Sequence, residues 1–178
     1  MYGAPPSLKA RALQWLAQRE HSRVELRRKL LRLARQQATE AAKLAGSDGE
    51  GEGDGKPVDA AAAVDGLLDW LVANRYLSDE RFVESRVNAR VARYGNLRIR
   101  QELGQHGAAL DAATAERLKG SEFARAHALW QRKFGASAPP QEASERARQM
   151  RFLAGRGFSS DVIRRVIRGD EIDADEHA

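Results

Sequence analysis

The sequence predicts an all-α protein of tandem three-helix, helix–turn–helix-like repeats, about nine helices forming an elongated, curved chain. Three observations lead there. Ala, Leu, Arg and Glu dominate the 178 residues, and all four favour helix. β-branched residues are sparse, so a sheet is not expected. One short helix–turn–helix pattern also recurs along the chain. Hydrophobic residues make up 42% and aromatics 6%, which suits several small helical cores better than one large interior.

The elements follow in order. Leu8, Ala12, Trp15 and Leu16 keep the i, i+4, i+7, i+8 spacing of an amphipathic helix. Ser22 opens a second helix, with Glu25 three residues later to complete a capping box, and Leu26, Leu30, Leu31 and Leu33 continue it. The stretch 46–57 is Gly-rich, acidic and without apolar residues, as expected of a flexible surface linker. Its Gly55-Lys56 pair does not make a phosphate loop, because Glu50 stands where that loop has Gly and Pro57 where it has Ser or Thr. Val64, Leu67, Leu68, Leu71 and Val72 give the third helix its apolar stripe.

Ser78 is expected to cap the fourth helix, with Asp79 and Glu80 at the positive end of its dipole. Its inward positions are Phe82 or Val83, then Val87 and Val91. Asn96 is expected to cap a helix over 97–106, with Gly107 following its end. A short helix starts at Asp111, and another runs from Ser121-Glu122 to Gly135. Pro140 suits the first turn of a helix that reaches about Arg156. Gly157 ends it, Ser159 or Ser160 caps the last helix, and Gly169 closes that one. The acidic tail 170–178 is expected to fray.

The repeat is visible without gaps. Trp15-Leu16-Ala17-Gln18-Arg19-Glu20-His21-Ser22 aligns with Phe152-Leu153-Ala154-Gly155-Arg156-Gly157-Phe158-Ser159, and Leu26 and Leu30 then fall on Ile163 and Ile167. Trp70-Leu71-Val72-Ala73-Asn74-Arg75-Tyr76 begins the same way, and Leu103-Gly104-Gln105-His106-Gly107 is a weaker copy. Such a corner can present its second helix to DNA, and it is equally how small helices pack into bundles.

Charge is segregated. The net charge is +5 and the pI about 9.9, yet residues 1–35 carry nine Lys and Arg against Glu20 and Glu25, a net of +7. Residues 36–66 carry −5, and residues 67–169 carry +8. Two basic bodies separated by an acidic stretch favour a polyanionic partner. The candidate binding residues are Arg23, Arg27, Arg28, Lys29 and Arg32 on the second helix, which Arg35 extends, Arg98 and Arg100 near Ile99, and Arg164, Arg165 and Arg168 on the last helix. Arginine suits phosphate because its planar fork makes paired hydrogen bonds. Arg117 and Arg125 are read as solvated, and the helical acids as partners of nearby arginines, such as Glu80 and Glu84 with Arg81 and Arg86.

Other classes find little support. There is no cysteine for disulfides, thiolate zinc or a thiol nucleophile. His21, His106, His127 and His177 lack metal-ligand spacing, and no Ser stands in a nucleophile elbow. No catalytic residue, metal or cofactor is expected. Met1 to Ser7 lack a signal peptide's apolar core and no apolar run of about 18 residues occurs, so a cytoplasmic protein without membrane contact is expected. Trp15, Trp70, Phe82, Trp130 and Phe152 sit on apolar stripes and are assigned to cores. Tyr94 is the aromatic kept as exposed, which leaves little for base stacking.

Several stretches together resemble one family. Residues 19–30, REHSRVELRRKL, resemble the signature near the start of RecX proteins. Tyr76-Leu77-Ser78-Asp79-Glu80-Arg81-Phe82 and Tyr94-Gly95-Asn96-Leu97-Arg98-Ile99 resemble that family's next two blocks. Arg132-Lys133-Phe134-Gly135 and residues 151–159 resemble its last ones. The blocks occur in order from about residue 9 to 168. The resemblance implies a non-enzymatic negative modulator of the RecA recombinase that lies in the groove of the RecA–DNA filament, lowers its ATPase, strand-exchange and coprotease activities, and binds DNA to varying degrees. The scarcity of stacking aromatics makes that DNA contact one mainly to the backbone, with low sequence specificity. It implies repeats at 8–74, 78–119 and 121–168, and a monomer is expected. Asn96 replaces the family's Pro, Arg75 replaces a Gly, and the acidic linker is longer than usual. The competing reading is a helix–turn–helix DNA-binding protein that acts independently of RecA.

Overall fold

The computed structural model describes residues 6–44, 60–135 and 142–170. The expected linker at 46–57, Pro140, and all of the acidic tail but Asp170 lie outside the described residues. Among the described residues there are nine helices and no strand. They are α1 (Leu8–Gln18), α2 (Arg23–Leu44), α3 (Ala60–Ala73), α4 (Asp79–Arg90), α5 (Asn96–Gln105), α6 (Ala112–Gly120), α7 (Glu122–Phe134), α8 (Ala143–Ala154) and α9 (Ser160–Arg168). The chain divides within α4, at Phe82/Val83, into two compact units.

In the first unit α2 packs on α3 and α1. Ala12, Leu26, Leu30, Val64, Leu68, Leu71 and Leu77 form its core, with Leu8, Trp15, Leu16, Leu67 and Trp70 around the edge. Each fully buried leucine removes enough apolar surface to contribute about 2 kcal/mol. The sequence stripe on α3 is one residue too wide. Val72 is 46% exposed because it shares its helix edge with Asp65 and Asp69, which turn toward arginines of α2. The expected capping box begins as read: the Glu25 N–H donates to Ser22 Oγ at 3.1 Å.

In the second unit α7, α8 and α9 enclose a core of Phe123, Ala126, Leu129, Trp130, Leu153, Phe158, Val162, Ile163, Val166 and Ile167. Ile163 and Ile167, which align with Leu26 and Leu30 in the repeat, are buried as those two are. Val83, Val87, Ile99, Leu103 and Leu118 are also buried. Val91 is half-buried, in the turn that follows α4.

At one place in this unit two sequence expectations fail together. Asn96 does not cap α5: Gly95 holds the cap position and Asn96 is the first helical residue, 6% exposed. Its N–H donates to Glu122 Oε1 at 2.9 Å and its side-chain amide to the Leu118 carbonyl at 3.0 Å. Arg125 is not solvated. Its guanidinium donates to the carbonyls of Val91, Tyr94 and Leu118, to Asn96 Oδ1 at 2.7 Å and to Ser121 Oγ. Burial lowers its pKa from the ordinary arginine value, with the Glu122 carboxylate opposing that shift. A guanidinium out of water needs acceptors for its donors, and the carbonyls left open at two helix ends supply them.

The same corner brings two backbones together. Gly95 N–H donates to the Arg156 carbonyl at 2.9 Å and Leu97 N–H to the Gly157 carbonyl at 3.0 Å. A Cβ on Gly95 would lie 2.3 Å from the Gly157 oxygen, and one on Gly157, whose φ is +79°, would lie 2.6 Å from Arg98 Cβ. Gly66, in the middle of α3, has no atom within 4 Å of an added Cβ. Gly95→Ala is therefore expected to cost about 3 kcal/mol through forced backbone separation. Gly66→Ala should stabilise by roughly 0.5–1 kcal/mol through helix propensity. Urea melts of the two variants check both signs.

Candidate polyanion-binding faces

The arginines chosen on α2 divide into two sets. Arg27 grips Asp65 with two hydrogen bonds, at 2.6 and 2.8 Å, and holds that carboxyl below its ordinary pKa. Arg23 pairs with Asp69 at 2.6 Å, while its backbone N–H donates to Asp79 Oδ1 at 2.8 Å. Both therefore fasten α2 to its own unit. Lys29 lies 5.0 Å above the Trp15 ring. Arg28 and Arg32 are exposed, with no ion pair among the described residues. Arg35 and Lys43, equally exposed, continue their row at helical spacing. The outward face is thus Arg28, Arg32, Arg35 and Lys43. One signal was present in the sequence: Asp65 and Asp69 are four apart, as Arg23 and Arg27 are.

In the second unit Arg100 is exposed and without an ion pair among the described residues. Arg98 lies 4.5 Å over the Tyr94 ring and donates to the Gly155 carbonyl at 3.2 Å. The α9 arginines are largely answered by acids. Arg168 pairs with Asp170 at 3.0 Å, Arg165 lies 3.8 Å from Asp170 and 4.3 Å over the Phe123 ring, and Arg164 lies 3.7 Å from Asp161. The arginines of α4 also reach acids farther along the chain: Arg81 meets Glu20, and Arg90 and Arg86 share Glu102, which holds that carboxyl below its ordinary pKa.

The aromatics shift as well. Phe82 and Trp130 are core residues, whereas Trp15, Trp70 and Phe152 only edge their cores. Tyr94 is half-buried beneath Arg98, and among the described residues the exposed aromatic is Tyr76, 49% exposed and stacked on Trp70 at 5.6 Å. Among the described residues no cluster of His, Asp and Glu could hold a metal ion, and no helix is long and apolar enough to cross a membrane.

A family model for the second three-helix domain of RecX matches residues 78–115, and one for the third three-helix domain matches residues 121–167. Regulatory protein RecX of Ralstonia pickettii is 43% identical over 171 residues, which cover 94% of this chain and 91% of that one. This chain belongs to the RecX family. Regulatory protein RecX of Leptothrix cholodnii is 44% identical over 164 residues, covering 91% and 88% of the two chains. That of Herbaspirillum seropedicae is 43% identical over 174 residues, covering 97% and 96%. The third RecX domain thus falls on α7–α9, and the second on α4, α5 and the start of α6.

The RecX block at residues 19–30 also holds a buried titratable group. His21 is 1% exposed, and its Nδ1 lies 3.1 Å from Glu25 Oε1, too poorly aligned to be a hydrogen bond. Arg19 pairs with the same carboxylate. Burial is the main cause that holds the imidazole pKa below its ordinary value; the Glu25 carboxylate opposes it, and Arg19 and Lys29 add to it. With the folded pKa lowered, the unfolded chain binds the proton first as pH falls. Stability should therefore be full above about pH 6.5 and decline below it, until the folded imidazole also protonates. His21→Phe, which copies Phe158 of the third domain, should flatten this slope. Urea midpoints at mildly acidic and neutral pH check it.

Proposed function

We propose that this RecX-family chain is a non-enzymatic negative regulator of the RecA recombinase. In this reading it binds the RecA–DNA filament and lowers its ATPase, strand-exchange and coprotease activities. The observation that carries the reading is the family itself: relatives named regulatory protein RecX match nearly the whole chain at 43–44% identity. The geometry agrees in kind. A filament of protein and DNA is a long polyanion, and a regulator that binds it needs cations directed outward. On α2 the residues Arg28, Arg32, Arg35 and Lys43 form such a row.

The chain acts, in this reading, as a monomer in the cytoplasm, as three repeats over 8–74, 78–119 and 121–168, and contacts DNA through the backbone with little sequence preference. A helix–turn–helix DNA reader independent of RecA is less well supported. Base readout calls for side chains in the first turns of the second helix of a corner. On α2 two of them, Arg23 and Arg27, are committed to aspartates of α3.

The test is a titration of the full chain against RecA's DNA-dependent ATPase. Hydrolysis should fall as the chain approaches stoichiometric amounts. Arg28→Glu, Arg32→Glu and Arg35→Glu combined should raise the amount required by about tenfold or more, as loss of several phosphate-scale contacts does. An unchanged ATPase at stoichiometric protein would end the proposal, and an undiminished effect of the triple variant would remove α2 from the surface.

A further inference from the structure

The third domain carries a second group of cations. Arg132 and Lys133 end α7, Arg146, Arg148 and Arg151 lie on α8, and Arg156 follows it. Among the described residues none of the six is ion-paired. The acids nearest them in sequence have other partners: Gln149 Nε2 donates to Glu145 and Ser144 Oγ to Glu142, each at 3.4 Å. This is the reverse of α9, whose arginines are answered by Asp161 and Asp170.

Two of the six are held in position. The Arg148 guanidinium lies 5.7 Å from the Phe134 ring centre and that of Arg156 lies 4.0 Å from the Phe152 ring centre. The two rings meet edge to face, with centres 5.2 Å apart. A guanidinium drawn to a ring gives up side-chain freedom in advance and keeps its N–H rim for a ligand. That rim matches two oxygens of one phosphate. The rings themselves are half-buried against the α7–α9 core, so this face offers donors and charge rather than an open plate for a base. Single strands are usually held by stacking on such plates, whereas a duplex keeps its bases inside and presents phosphates.

We propose that Arg148 and Arg156 form a two-point fork for the phosphate backbone of duplex DNA, with Arg132, Lys133, Arg146 and Arg151 supplying the surrounding positive field. This rests on the filament reading above only in choosing DNA as the polyanion. The fork binds without regard to sequence, and it adds a contact on the third domain distinct from the α2 row.

The experiment is a fluorescence-anisotropy titration of the full chain with a short labelled duplex over a range of salt, without RecA. Arg148→Gln with Arg156→Gln should weaken binding by about tenfold and reduce the log–log salt slope by about 1.8, the value for two phosphates. Arg148→Lys with Arg156→Lys should keep the slope and still lose several-fold in affinity, because the charge remains and the fork does not. Arg164→Gln with Arg168→Gln on α9 should change neither, and thermal melts confirm that each variant is folded. The proposal is overturned if the Gln pair binds duplex like the parent, or if the α9 pair loses as much. It is also overturned if the Gln pair keeps duplex affinity but no longer suppresses the RecA ATPase, since the fork would then face protein carboxylates. Because the duplex assay contains no RecA, its failure and that of the filament reading are told apart.

Discussion

A guanidinium withdrawn from water has to be met by acceptors, and Arg125 meets them at two helix junctions at once. It reaches the carbonyls of Val91 and Tyr94, where α4 gives way to α5, and that of Leu118 near the end of α6. Asn96 fills the space between, bonded to Leu118, Arg125 and Glu122. A partly satisfied polar network of this burial would be worse than an apolar one, so its members stand or fall together. The first turn of α5 meets it through Asn96, and the junction of α6 and α7 through Leu118, Ser121 and Glu122. The first unit relies on a leucine core, on Arg–Asp pairs at its edge, and on Arg81, which reaches Glu20 and the carbonyls of Arg75 and Tyr76.

The contrast between these two kinds of arginine governs how the charge of the chain is read. A net charge of +5 describes the field at a distance, yet a cation that holds a helix is not free to hold a ligand. Arg23, Arg27, Arg90 and Arg125 are spent inside the fold, and Arg168 faces its own acid. Among the described residues, those left outward include a row on α2, Arg100 on α5, and a group on α8 and its flanks. Exposure and pairing, rather than the number of basic residues on a helix, separate the structural cations from the available ones.

The helices and their buried faces were legible because helical periodicity is a local property: Leu26, Leu30, Val64 and Leu68 could be assigned from spacing alone. The RecX blocks were legible for the same reason, being short and contiguous. Pairing is not local. Glu102 serves arginines 12 and 16 residues away, and Arg125 finds a carbonyl 34 residues away. No spacing rule over one helix contains that information, so Arg125 read as solvated and Asn96 as a cap. The exposed Tyr76 was missed differently, since an aromatic beside an apolar stripe looks the same in sequence whether it lies over the core or at its rim.

The meeting of Gly95 with the turn at Gly157 also bears on the cost of association. Two backbones joined by N–H···O bonds, with no side chain between them, leave no rotamers to freeze and little room to pivot. Any macromolecule that touches α5 and α9 together meets a surface whose relative placement was fixed when the chain folded. The entropy of aligning those two elements is then charged to folding, and the free energy of each later contact goes undiminished into affinity.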